Sequence, residues 1–206
     1  MINSKFKSVV NELSELFEKF DPSEVEKISN KIIDANHISV YGAGRERLQI
    51  MGFAMRLHHL GLSVSVVGDM TTPPLGRGDL LLMSCGPGQL STVTALARRA
   101  KKSGAKVIMI TAQPTGESIE LADNTILLPA QTMADDRGNK KQSLLPMGSI
   151  FEGGLFIFFE VVILHLKDAL QISDEQIKRK PLAQLHQSDF LKGFRYNLRA
   201  SRKEIG

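Results

Sequence analysis

Apolar positions in this chain fall into two rhythms. Val9, Val10, Leu13, Leu16 and Phe17 recur at helical spacing, so residues 5–20 are predicted to form an amphipathic helix. Asp21-Pro22-Ser23-Glu24 then reads as a start signal, with proline at the first position of a second helix reaching about residue 35. Short, mostly apolar runs follow at 37–41, 63–67, 80–84, 106–111 and 125–128, each of strand length. Helical stretches stand between them: one over about 46–60 stopped by Gly61, one ending at 103 before Gly104, and a short one at 118–122. Thr71-Thr72-Pro73-Pro74 is a loop that proline keeps out of regular structure. Strands recurring with helices between them imply right-handed βαβ crossovers and a parallel sheet, hence an α/β fold.

The rhythm changes after the last strand. Residues 134–142 are polar and read as a mobile loop, and 147–170 is the longest helical candidate, apolar nearly all round. A helix without a polar face is expected to be buried on all sides. In so small a chain that requires a subunit interface as well as a core, with Gly153 and Gly154 permitting close approach, so a homo-oligomer is expected. From Lys178 onward the chain is polar and basic. The expected organisation is a single domain over 1–180 and a basic tail over 181–206, solvated and partly disordered.

Bulk numbers narrow the picture little. The 206 residues suit one α/β domain with a sizeable core. A net charge of +4 is compatible with anionic ligands, and no nucleic-acid partner is expected from it. Cys85 is the only cysteine, so no internal disulfide forms and a cytoplasmic, reducing compartment fits. The N-terminus lacks the apolar core of a signal peptide. The most apolar stretch, 153–166, is interrupted by Glu160 and His165 and is shorter than the roughly 20 residues a bilayer needs, so no membrane segment is expected.

The candidate chemistry lies in two turns. The run 37–41 passes into Gly42-Ala43-Gly44-Arg45, and the run 80–84 into Cys85-Gly86-Pro87-Gly88, each opening a helix. A strand, a glycine turn and a helix together aim the free amides of the first helical turn at one spot, which suits an anion or a polyhydroxylated ligand. Gly42-x-Gly44 is also the start of a dinucleotide fingerprint, with Asp69 ending the next strand, but Arg47 stands at the third glycine position and breaks it. No Walker motif, zinc-ligand cluster or Ser-His-Asp pattern is visible, and neither a cofactor nor a metal is implied.

Taken in order, these segments resemble a sugar isomerase (SIS) domain, and within that family the 6-phospho-3-hexuloisomerase group. The residues that carry the likeness are Val40-Tyr41-Gly42-Ala43-Gly44-Arg45, Phe53-Ala54-Met55-Arg56-Leu57 with His59-Leu60-Gly61, and Pro146-Met147-Gly148-Ser149-Ile150-Phe151-Glu152. The resemblance runs from about residue 40 to 170. It implies a three-layer sandwich built on a five-stranded parallel sheet in flavodoxin-like order, with two leading helices. It also implies oligomerisation, often as a tetramer, and aldose–ketose isomerisation of a phosphorylated sugar with Glu152 as the base. Departures accompany it. Glu46 stands where the family has a serine, and Cys85-Gly86-Pro87-Gly88-Gln89-Leu90 replaces a Ser-Gly-Ser-Gly-Glu-Thr turn whose hydroxyls hold phosphate. Pro87 removes one amide donor besides. A catalytically altered SIS protein that binds a carbohydrate derivative as a sensor or scaffold is the alternative these departures raise.

The candidate catalytic residues are Glu152 and His186, and the candidate substrate contacts are Gly42, Gly44, Arg45, Glu46, Cys85, Gly86, Gly88, Gln89 and Ser91. Each has a plainer reading. Ser149-x-x-Glu152 is also a capping box. His186 lies several positions from the family's C-terminal histidine, and its plainer reading, an exposed tail residue, is the favoured one. His59, about 20 Å along its helix from the first turn, reads as packing or as a contact to a neighbouring subunit's site. Cys85 reads as a small stand-in for serine, or as a thiol activated by a helix N-terminus. Arg45 could neutralise a ligand anion or pair with Glu46 or Glu24. Gln89 and Ser91 could contact ligand or cap the helix behind them.

Overall fold

A computed structural model describes residues 2–133, 135 and 143–175. Two helices lead, α1 (Ile2–Glu18) and α2 (Ser23–Asp34), then β1 (Ile38–Gly42), α3 (Gly44–His59), β2 (Val64–Val66), β3 (Leu80–Ser84), α4 (Ser91–Ser103), β4 (Lys106–Thr111), α5 (Glu117–Glu120), β5 (Asn124–Leu127) and the long α6 (Ser149–Ala169). Pro22 sits one place earlier than expected, at the N-cap of α2, and the Ser23 N–H donates to the Asp21 carboxylate at 2.9 Å. The expected loop at 134–142 lies outside the described residues except for Asp135, and the expected tail at 181–206 lies wholly outside them.

All five strands are parallel, in the order β2-β1-β3-β4-β5. This is the flavodoxin-like arrangement. Every residue of the central β3 is buried, as a strand covered by helices on both faces requires. The chain leaves β1 toward β2 on one side and β3 toward β4 on the other, so the connections diverge between β1 and β3. Open α/β sheets place their ligand crevices at such a switch point. The β1–β3 register pairs Gly42 with Ser84, which brings both glycine turns to the same edge, side by side. Gly42 is required there: a Cβ would stand 3.0 Å from the Arg47 backbone nitrogen, because the strand end lies against the first turn of α3.

The described residues up to Leu166 form one compact unit, and those from Lys167 on belong to another. In the first, α6 lays Leu155, Phe158, Phe159 and Val162 into the core. Phe159 stacks on Phe53 of α3 at 4.4 Å between ring centres, and Phe158 meets Phe20 edge-on at 5.5 Å. Arg56 of α3 forks onto Glu160 with two 3.1 Å hydrogen bonds, so the one carboxylate in the middle of this apolar helix has a partner. In the second unit, as far as it is described, the helix end is closed by Ile172 N–H donating to Lys167 O and by a Lys167–Asp174 ion pair.

Within one chain α6 is covered on one side only: Phe156, Val161 and Leu164 are exposed, because the sheet and the leading helices pack against the other side. The 21-residue α6 and the kinked turn before it, Pro146–Ala169 together, are long and apolar enough by length and composition to cross a membrane, and half of the most apolar window is buried in the protein. Glu160 and His165 interrupt the apolar run without ending the helix.

Candidate active site

A cavity of about 870 Å³ opens at the switch point. Its wall is built from the first turn (Ala43, Gly44, Arg45, Glu46), the second (Pro87, Gln89, Leu90), the loop after β5 (Thr132, Met133) and the start of α6 (Met147, Gly148, Phe151, Glu152). Of the residues the sequence singled out, Gly44, Arg45, Glu46, Gln89 and Glu152 therefore meet in one place. Gly42, Cys85, Gly86, Gly88 and Ser91 are not part of this lining. His186 lies outside the described residues.

Glu152 reaches the cavity from the first turn of α6, on a backbone bent to deliver it. Met147 adopts φ 56° and Gly148 φ 75°, the left-handed region. A side chain at Gly148 would overlap the Met133 and Thr132 backbone, so only glycine fits. The exposed Met147 carbonyl accepts from the Arg45 guanidinium, which also donates through Nη1 to Ser149 Oγ at 3.2 Å and through Nε to Glu152 Oε1 at 3.1 Å. One arginine thus ties the first glycine turn to the start of α6. The capping box is not formed. Ser149 Oγ donates instead to Pro146 O at 2.8 Å, and the Glu152 carboxylate takes Arg45, so it is held by a side chain from another element. Arg45 pairs with neither Glu46 nor Glu24; Glu24 takes Lys27 at 2.6 Å. Burial pushes the Glu152 carboxyl above its ordinary range, and the Arg45 charge and hydrogen bond draw it part of the way back. A carboxylate poised in this way suits proton abstraction near neutral pH.

Glu46 turns away from solvent into the second glycine turn. Its Oε2 accepts from Ser84 Oγ at 2.5 Å, and both oxygens lie 3.1 Å from the Gly86 N–H. Burial raises its pKa most, Ser84 and Gly86 lower it, and the nearby Glu152 charge raises it again, with a net upward shift. Its partner Ser84 was missed by sequence reasoning. The available signal was a lone hydroxyl ending an otherwise apolar strand beside a glycine turn. Thr132 and Met133 were missed too, and no local pattern marks them; Phe151 stood in the motif before Glu152 but was given no role.

The remaining candidates take plainer places. Cys85 is fully buried, and burial, with the Glu46 charge, pushes its thiol up to about 11. It is a protonated, packed side chain. Neither Gln89 nor Ser91 caps α4: the N-cap is Leu90, whose N–H donates to Ser118 Oγ at 3.2 Å, while Gln89 reaches Glu117 at 3.5 Å. His59 ends α3, roughly 22 Å of helix away from Gly44, and does not line the cavity. Burial, with the Arg56 and His58 charges, lowers its pKa. Among the described residues no cluster of three His, Cys, Asp or Glu is placed to hold a metal ion.

Fold and site together define a doubly wound α/β protein with a cavity at its switch point, faced by a carboxylate that burial raises. The chain belongs to the SIS domain family, whose model matches residues 31–140. Over 176 residues it is 35% identical to the 3-hexulose-6-phosphate isomerase of Mycobacterium gastri, covering 85% of this chain and 87% of that one. The 3-hexulose-6-phosphate isomerase of Bacillus subtilis is 32% identical, over 81% of this chain and 90% of its own. The crystal structure of a hypothetical protein from Methanococcus jannaschii, from which a 3-hexulose-6-phosphate isomerase function was inferred, superposes with a TM-score of 0.73 at 30% identity, covering 85% and 96% of the two chains.

Proposed function

We propose that this protein is an aldose–ketose isomerase acting on a sugar phosphate, with Glu152 as the proton-transfer group. One observation carries the residue assignment: a carboxylate raised by burial and oriented by Arg45 opens into the same cavity as both glycine turns. The likeness to 3-hexulose-6-phosphate isomerases supports isomerisation of a sugar phosphate by a carbonyl shift. In such a step Glu152 takes the proton from the carbon beside the substrate carbonyl. The C–H electron pair becomes the enediolate double bond, the hydroxyl proton passes from one oxygen of the enediolate to the other, and Glu152 returns its proton to the former carbonyl carbon, which leaves the carbonyl on the neighbouring carbon. Arg45 keeps Glu152 aimed and supplies positive charge at the cavity wall as the enediolate oxygen becomes anionic. The test is a panel of ketose and aldose phosphates followed for interconversion. Turnover of at least one supports the reading. Thermal stabilisation by one of them without turnover of any overturns it in favour of a binding protein.

The same reading includes self-assembly. Ile2, Phe6 and Val10 on α1, and Phe156 and Leu164 on α6, leave apolar surface that a second copy of the chain would cover. Light scattering should give a multiple of 22.7 kDa, and a monomer at micromolar concentration would refute it. Cys85 as a free, buried thiol agrees with a cytoplasmic setting.

A further inference from the structure

The second glycine turn, which a sequence reading offers as an anion cradle, already holds an anion supplied by the chain itself. The Glu46 carboxylate lies across the turn with both oxygens 3.1 Å from the Gly86 N–H and one taking the Ser84 hydroxyl. The other donors of the turn are largely committed. Pro87 has no N–H, Gly88 N–H donates to Cys85 O at 2.9 Å, and Leu90 N–H donates to Ser118 Oγ at 3.2 Å. The space is closed as well as the hydrogen bonding, since a Cβ on Gly86 would stand 2.9 Å from Glu46 Oε1 and 2.9 Å from the Phe151 ring. Among the described residues lining the cavity, two carboxylates, Glu46 and Glu152, face one guanidinium, Arg45, so the wall carries net negative charge.

We propose that Glu46 determines the specificity of this site: it is the resident anion of the second turn, and the part of the sugar laid against residues 84–90 is an uncharged polyol segment whose hydroxyls donate to Glu46. This rests on the isomerase reading above and deepens it. A phosphate placed at the second turn would meet a carboxylate already holding its donors, and like charges at such distances in a partly desolvated site repel strongly. The phosphate of the substrate therefore lies away from this turn. The carboxylate keeps lone pairs beyond those used by Ser84 and Gly86, and these are what a pair of adjacent sugar hydroxyls satisfies.

The experiment is a calorimetric titration of inorganic phosphate, and separately of sorbitol, into the full-length wild type, Glu46→Gln and Glu46→Ala. The first variant removes the charge and keeps the shape; the second empties the slot. Phosphate should bind at least tenfold more tightly to both variants than to the wild type, and sorbitol at least tenfold more weakly to Glu46→Ala. Equal phosphate affinity in wild type and variants overturns the proposal, as does phosphate found against Gly86 in a wild-type crystal. The wild-type crystal also decides the matter where a variant fails to fold. None of these measurements needs turnover. An enzyme inactive on every sugar, with the phosphate result as expected, removes the isomerase reading alone; an active enzyme with unchanged phosphate affinity removes the role of Glu46 alone.

Discussion

Replacing Glu152 with glutamine separates chemistry from architecture at this site. The substitution keeps volume and one acceptor oxygen for Arg45 while removing the group that takes the proton. Loss of a positioned general base costs about 10²- to 10⁴-fold in rate. The cost in stability should be small. The Glu152–Arg45 pair spans 3.1 Å, but the arginine side chain is 46% exposed, and exposed pairs contribute about 0.2–1 kcal/mol. Burial already disfavours the charged carboxyl, so a neutral amide recovers part of even that. The expected outcome is a fall in kcat of at least a hundredfold with Tm changed by less than about 4 °C. Initial rates with the sugar phosphate identified by the panel, together with thermal unfolding of the same sample, measure both. A variant that loses several degrees of Tm yet keeps its rate per folded molecule would show that Glu152 only braces the start of α6, and the proposed proton transfer would have to be abandoned.

Three further outcomes follow from the same geometry. Gly148→Ala forces a side chain into φ 75° and against the Met133 and Thr132 backbone, and should lower stability by about 3 kcal/mol or more in urea unfolding; a loss below about 1 kcal/mol would mean that the turn before α6 relaxes freely. Cys85, with its thiol near 11, is thiolate in only about one molecule in 3,000 at about pH 7.5, so thiol reagents should label it only after denaturation; rapid labelling of the native protein would contradict its burial. Glu46 and Glu152 both titrate above the ordinary 4.5, so the folded state holds more protons than the unfolded one between that value and the raised ones. Their contribution to stability is therefore present below 4.5 and is lost as pH rises through the raised values. Asp123 acts in the opposite sense. Burial raises it, but Lys101, the Val107 N–H and Lys106 bring it net below 3.8, so its contribution is present above 3.8 and is lost on further acidification. Urea midpoints should fall between pH 4.5 and neutrality and flatten in Glu46→Gln, whereas a rise over that window would reverse the assigned shifts.

Strands, crossover helices and the two glycine turns could be read from the sequence because each is a local property. Alternating or continuous apolar runs, glycine where a strand end meets a helix, and Gly104 as a left-handed stop all act within a few residues. The family likeness pointed to Glu152 from a short motif for the same reason. What the glycine turns contain was decided only by the fold. Glu46 finds Ser84 and Gly86, 38 and 40 residues on, because β1 and β3 pair in register and set the two turns side by side. Arg45 finds Glu152, 107 residues away, because α6 packs back over the sheet and starts beside the first turn. Partners this distant are brought together by register and packing, and neither is visible in the spacing of residues along the chain. A sequence can therefore present an amide cradle, while only the assembled sheet reveals that one of its own carboxylates already occupies it.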